Sequence, residues 1–426
     1  MILQVLKNWA WLQRTQWIER ERLKEIQCQK IVETVDTASR MVPFYRRLYL
    51  APNMTPDTLA VRDFAKLPIV TRELLRSTPL EQRTRTDVDR SSCEATTTSG
   101  STGSPVTALE DPSWAAYQEA LQLRHLWAYG ARPMDRICRA TRVWQMRHLA
   151  DDAGMWGFLR RKFNRQLSLA GDLESHMEFF STWKPTVMTA HPSYLRTLIR
   201  LLEETGRSLD FKLIVTVGEV LDESTRRLIE KNLNAEVFDQ YGTEELGSVA
   251  WECPTHAGYH VNDDSLVMEI LTNGEPAAPG ESGEVCVSNL CDRATPMIRY
   301  LPGDIATPLN DECACGRGLS MLKRIEGRIV DSILTKEGKI VSPYIVTSCL
   351  EDIPDILQFR VVQQRDHSID ITVKLDSKST DSILPHILQT CKELFGETPV
   401  NVRSVDKIEM PTGSKFRLVE SRLANW

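Results

Sequence analysis

The 426-residue sequence predicts an α/β fold: a large N-terminal body of mostly parallel sheets flanked by helices, a β unit within it, and a small α+β C-terminal domain. Three observations lead there. Between residues 185 and 233, strand-length apolar runs alternate with helical patterns, as βαβ units and a parallel sheet require. Between 260 and 310 the pattern turns to strand and turn, punctuated by Asn273-Gly274, Pro279-Gly280 and Ser282-Gly283, which suggests a more antiparallel β unit. Beyond Glu326-Gly327, two hairpins, a helix and a strand fill a block of domain size.

Taken in order, the chain begins with a helical stripe: Ile2, Val5, Leu6, Trp9 and Leu12 recur at three- and four-residue spacing. The polar residues of the first 25 carry both signs, so the stripe is expected to pack on the body despite the nearby Trp11 and Trp17. Short helical pieces follow from Pro43 to Arg90, and residues 112–129 read as a helix. Strands are expected at Asp135–Ala140, Pro185–Ala190 and Phe211–Val217, with helices over Ser193–Glu204 and Asp222–Leu233. Past the boundary, Ile329–Leu334 and Lys339–Val341 read as one hairpin, and Phe359–Gln363 and Ile369–Leu375 as another. Ile383, Leu384, Ile387, Leu388, Cys391, Leu394 and Phe395 form a helical stripe before the strand Val400–Val405. The expected domains are residues 1–325 and 326–426.

Composition narrows the function classes. With 42% hydrophobic and 26% charged residues the chain is too apolar for disorder. A formal net charge of −6 argues against nucleic acid as a partner, because a binder would carry a basic balance. No run reaches the roughly 18 uninterrupted apolar residues of a membrane span. Charge interrupts the first residues from Lys7 onward, so no secretory leader is expected and the cytoplasm is the expected compartment. Ten irregularly spaced cysteines favour reduced thiols or metal ligands over a disulfide framework.

The most informative stretch is Thr96–Pro105, which holds Ser99, Gly100, Ser101, Thr102 and Gly103. Its hydroxyls and glycines let the backbone approach an anion and offer O–H and N–H donors. No Gly-Lys-Ser/Thr follows, so it is not a Walker loop, and alone it reads equally as a surface linker. Five segments downstream decide between the two: Val217–Leu221, Asp239–Gly247, Ile298–Asp304, Ile325–Asp331 and Pro411–Arg417. In this order, with Val42–Arg47 and Lys66–Thr71 upstream, they resemble the adenylate-forming superfamily of acyl-CoA synthetases and adenylation domains, in its phenylacetate–CoA ligase-like branch.

That resemblance implies two half-reactions: a carboxylic acid and ATP give an acyl-adenylate and pyrophosphate, then the acyl group passes to a thiol, usually CoA. It implies that Ser99 to Gly103 cradle the β- and γ-phosphates, with Thr102 near the metal. Gly218 and Glu219 would line the adenine pocket, Tyr241 would stack on the base, and Gly242 and Thr243 would approach the α-phosphate. Asp304 would accept both ribose hydroxyls, as an acceptor-only carboxylate can. Arg328 would approach ribose or phosphate, and Lys415 would be the catalytic cation bridging the acid and the α-phosphate. For Mg²⁺ the register gives Glu245, with Glu244 as its competitor where a hydroxyl residue is usual. The hinge position after the Arg is Val330, followed by Asp331.

Cys253, His260, Cys313 and Cys315 flank the antiparallel segment and offer three thiols and an imidazole, a set suited to structural Zn²⁺; His256 competes as the fourth ligand, and unrelated thiols are the alternative. Arg132 to Arg165 holds nine Arg or Lys against three Asp, a solvated face or a landing surface for CoA or an acidic carrier protein. Trp144 and His191 are expected near the acyl pocket, which leans toward an aryl or arylacetic acid. Three functions follow: a carboxylate–CoA ligase; an adenylating enzyme serving an amine, hydroxyl or carrier-protein thiol; or a non-catalytic binder on the same scaffold. A homodimer is compatible with each.

Overall fold

A computed structural model describes residues 2–50, 61–97, 106–141, 162–169, 171–291, 293–310, 312–351, 353, 356–375, 383–406, 408 and 417–423. Ser99, Gly100, Ser101, Thr102, Gly103, Trp144 and Lys415 lie outside the described residues. The chain divides into two compact units, Met1–Gly130 with Gln240–Arg324, and Ala131–Asp239 with Ile325–Trp426.

In the first unit, the helix Ile2–Thr15 turns Val5 and Leu12 against Ala116, Ala120 and Leu121 of the helix Pro112–Ala128. The stripe packs on the body, while Ile2 and Leu6 remain exposed. Asp111 starts the second helix: its carboxylate accepts the Ser113 and Trp114 N–H groups, and Pro112 occupies the first helical position, where no N–H is needed. Glu236–Thr243, Gly247–Glu252, Tyr259–Val261 and Met321–Arg328 pair antiparallel in succession. Leu266–Thr272, Gly283–Asn289 and Asp304–Leu309 form a second antiparallel run. The antiparallel character expected from the paired turn signals is therefore present.

The second unit holds the parallel sheet. Ile137–Thr141 lies between Asn164–Ser168 and Val187–Ala190, and Leu213–Val217 flanks the last of these. Leu173–Trp183, Pro192–Thr205 and Glu223–Leu233 supply its helices, and Met188, Ile214, Leu195, Leu198 and Ile229 are buried together. Val187–Ala190 and Leu213–Val217 read as apolar runs, as strands covered on both faces do, whereas the polar Asn164–Ser168 was not expected from the sequence. The first strand starts at Ile137 rather than Asp135, because Asp135 is spent on the turn, accepting the Arg132 N–H at 2.7 Å and the Thr186 hydroxyl at 3.1 Å.

The segment after residue 325 builds a small α+β domain with its own core. Its sheet runs Val400–Ser404, Ile369–Leu375, Ile356–Gln363, Val419–Ser421, antiparallel in the centre and parallel at both sides. Ile387, Cys391 and Phe395 of the helix Ile383–Phe395 bury against Phe359, Val361, Ile369, Ile371 and Val373. Each such large side chain contributes about 1.5–3 kcal/mol. One expected hairpin is shorter than its apolar run: only Ile333–Leu334 pairs with Ile340–Val341, and Ile329–Asp331 is a 3-10 turn. A tertiary ion pair from Arg417 to Asp331 at 2.5 Å holds that turn, and no local pattern encodes it.

Candidate active site

The first unit assembles a carboxylate-rich corner from three segments. Glu236–Thr243 and Gly247–Glu252 pair through a register shift between Tyr241 and Gly242. A side chain at Gly242 would put Cβ 2.4 Å from the Gly247 carbonyl oxygen, so only glycine permits this approach. The tight turn is closed by the Leu246 N–H, which donates to the Thr243 hydroxyl at 3.2 Å. Glu244 and Glu245 sit on that turn; Glu244 is half-buried and Glu245 is buried.

Tyr241 donates its hydroxyl to Asp304 Oδ2 at 2.7 Å, joining two predicted site residues. Glu245 receives the Tyr300 hydroxyl at 2.7 Å and Arg72 Nη2 at 3.1 Å, both on Oε1, and Arg293 donates to its backbone carbonyl. No other residue among the described ones donates to Oε2. Burial pushes the Glu245 carboxyl up, but the Arg72 charge and the Tyr300 hydrogen bond outweigh it and hold the group below the usual range. Its own backbone N–H also bonds the carboxylate, and an ionised carboxylate with one oxygen that no other described residue holds fits a hard divalent cation.

The second unit positions the other predicted residues. Gly218 follows the strand Leu213–Val217 at φ +76, and the His191 ring lies 3.2 Å from where its Cβ would be. Glu219 accepts from the Ser193 N–H at 3.0 Å and the Ser193 hydroxyl at 2.9 Å, and faces His191 Nδ1 at 3.3 Å. It thus caps the helix Pro192–Thr205, whose own N-cap residue, His191, makes no side-chain cap bond. Burial would raise the Glu219 carboxyl, yet His191 and Ser193 bring it below its ordinary value. Arg328 precedes the turn Ile329–Asp331, and Asp331 is paired with Arg417.

Cys253, His260, Cys313 and Cys315 converge, their ligand atoms all within 4.8 Å of one another. Cys253 Sγ lies 3.4 Å from Cys313 Sγ, and His260 Nε2 lies 3.2 Å from Cys315 Sγ. His256 is not in the group: its Nδ1 is 2.9 Å from Glu252 Oε1. Burial opposes ionisation of Cys315, but hydrogen bonds from His260 and Arg317 draw the thiol well below its ordinary range. Three thiols and one imidazole at such spacing fit tetrahedral zinc. No disulfide forms among the described residues. Sequence reasoning missed Arg72, Ser193 and Arg317; Arg72 directly follows the Lys66–Thr71 segment, the one signal that bore on it.

No family model matches the chain. It is 28% identical over 414 residues to a phenylacetate-coenzyme A ligase of Escherichia coli, covering 88% of this chain and 87% of that one. A phenylacetate-coenzyme A ligase of Thermus thermophilus is 26% identical over 373 residues, with 83% and 81% covered. Among solved structures, 2-hydroxyisobutyryl-CoA ligase in the postadenylation state, in complex with 2-HIB-AMP, superposes with a TM-score of 0.79 at 21% identity, over 96% of this chain and 92% of that one. The chain has the adenylate-forming acyl-CoA ligase fold. The resemblance read from six short motifs thus extends to the whole architecture. Within this fold the motif residues that are described fall at strand ends and turns, where loops carry chemistry on a rigid frame. Among the described residues no helix is long and apolar enough to cross a membrane.

Proposed function

We propose that this chain is an AMP-forming carboxylate–CoA ligase. It joins a carboxylate to the α-phosphate of ATP, releasing pyrophosphate, then transfers the acyl group to CoA, releasing AMP. The observation that carries this reading is the Tyr241–Asp304 hydrogen bond, which joins two motif residues 63 positions apart in a chain similar over 88% of its length to a phenylacetate-coenzyme A ligase.

In this reading Asp304, oriented by Tyr241, accepts the ribose hydroxyls, Gly218 and Glu219 line the adenine pocket, the Tyr241 ring stacks on the base, and Gly242 and Thr243 approach the α-phosphate. Ser99 to Gly103 hold the β- and γ-phosphates, Arg328 approaches ribose or phosphate, and Lys415 bridges the acid and the α-phosphate as charge moves onto pyrophosphate. Glu245 holds Mg²⁺, with Glu244 as the neighbouring alternative; the cation would neutralise phosphate charge in the transfer. Residues 326–426 act as the mobile domain that brings Lys415 to the body of residues 1–325. The relatives favour phenylacetate or a similar aryl acid, with Trp144 and His191 at its pocket. Cys253, His260, Cys313 and Cys315 hold a structural Zn²⁺, and the cytoplasm is the compartment.

Purified protein is incubated with ATP, magnesium and a panel of aryl, arylacetic and amino acids, and pyrophosphate exchange is measured. Products with CoA are identified by mass. One aryl acid should support exchange and yield an acyl-CoA; Lys415→Ala should abolish exchange while ATP binding persists. Absence of exchange with every acid, or exchange unchanged in Lys415→Ala, would overturn the reading.

A further inference from the structure

Tyr300 and Arg72 converge on a single oxygen of Glu245, and the backbone is arranged to bring them there. Val70 pairs with Tyr300 and Thr71 with Leu301 in a two-residue parallel ladder, closed by the Val70 N–H donating to the Arg299 carbonyl at 2.8 Å. Thr71 caps the helix Arg72–Ser77 by accepting the Leu74 N–H at 3.2 Å, so Arg72 leaves the ladder at a fixed helix start. On the facing turn, Arg293 holds the Glu245 carbonyl. The backbone at both partners of the carboxylate is therefore set by secondary structure.

The pairing is not the one that ion-pair stability alone would select. An arginine beside a buried carboxylate gains most from the two-armed fork onto both oxygens. Here Nη2 and the Tyr300 hydroxyl share Oε1, while Arg72 Nε is buried without a hydrogen-bond partner among the described residues. An unsatisfied buried donor costs about 1–3 kcal/mol. That cost leaves Oε2 without a donor from another residue and restrains the carboxylate against rotation. We propose that Arg72 and Tyr300 are positioning residues that hold Oε1 of Glu245 so that Oε2 serves the divalent cation entering with ATP. The proposal rests on the assignment of Glu245 to Mg²⁺ above.

The test reads cation affinity rather than turnover. Mn²⁺ replaces Mg²⁺, and its uptake by full-length protein with a non-hydrolysable ATP analogue is followed by electron paramagnetic resonance. Tyr300→Phe and Arg72→Met should each weaken Mn²⁺ by about 10-fold, the usual loss when a partner of a metal ligand is removed, and Arg72→Lys should recover part of it. Nucleotide affinity in chelator should stay within about two-fold of wild type, since the pair acts through the cation. Tyr300→Phe keeps the ring in place, and its circular dichroism and Tm report folding. A purely structural role would lower Tm and leave Mn²⁺ affinity unchanged, which overturns the proposal. If Glu245→Gln alone weakens Mn²⁺, the positioning idea fails and the metal assignment stands. If Glu245→Gln binds as wild type, both fail; and if wild type takes up no Mn²⁺ with the nucleotide, the ligase reading itself fails.

Discussion

Glu219 shows how a residue assigned to a ligand pocket can also hold its own scaffold. Its carboxylate accepts two bonds from Ser193 at the start of the helix Pro192–Thr205 and keeps the His191 ring over Gly218. Glu219→Ala should cost about 1–2 kcal/mol, as loss of a helix cap does, measured by urea denaturation. The folded carboxyl lies below its ordinary 4.5, so its contribution is present above that value and is lost as pH falls through the folded pKa. The stability gap between wild type and Glu219→Gln should therefore shrink between pH 5 and pH 3, and a gap constant across that range would refute the assignment. His191 and Glu219 were both named from sequence, but their direct partnership was not legible, since 28 residues separate them and only the turn at Gly218 brings them together.

At the scale of elements, the antiparallel pair Gly247–Glu252 and Tyr259–Val261 explains why the candidate zinc site draws on His260 and not His256. The ladder sets His260 opposite Trp251 and Met321, fully buried beside the thiols. His256 sits in the connecting turn at φ +55 and faces Glu252. The spacing of Cys253 and Cys313-Ala314-Cys315 was enough to name the thiols, whereas the choice of imidazole required the register. One zinc per chain is expected by elemental analysis. At about 2–4 °C per kcal/mol, loss of ~3 kcal/mol on chelation or in Cys315→Ser should lower Tm by roughly 6–12 °C. A metal-free protein whose Tm ignores chelator would count against the site.

Across the whole molecule, long-range polar contacts within a unit tie together segments that the chain holds far apart. Arg124 and Asp264 are both fully buried and ion-paired; Asn262 accepts from the same guanidinium at 2.6 Å, and Thr15 donates to Asp264 at 2.7 Å. Arg124→Met strands the Asp264 charge and should cost about 3–5 kcal/mol in urea denaturation, with partial recovery in Arg124→Met/Asp264→Asn. Equal stability of wild type and the single variant would mean the charge finds water. The sequence by itself determined the fold class, the helix starts and the order of the motifs, because apolar periodicity, capping residues and glycine turns act within a few residues of chain. Tertiary structure alone decided which oxygen of Glu245 is held, which histidine joins the thiols and where the hairpin after Arg328 begins. Those outcomes depend on distances between groups separated by tens to hundreds of residues, and packing sets such distances where no local pattern can.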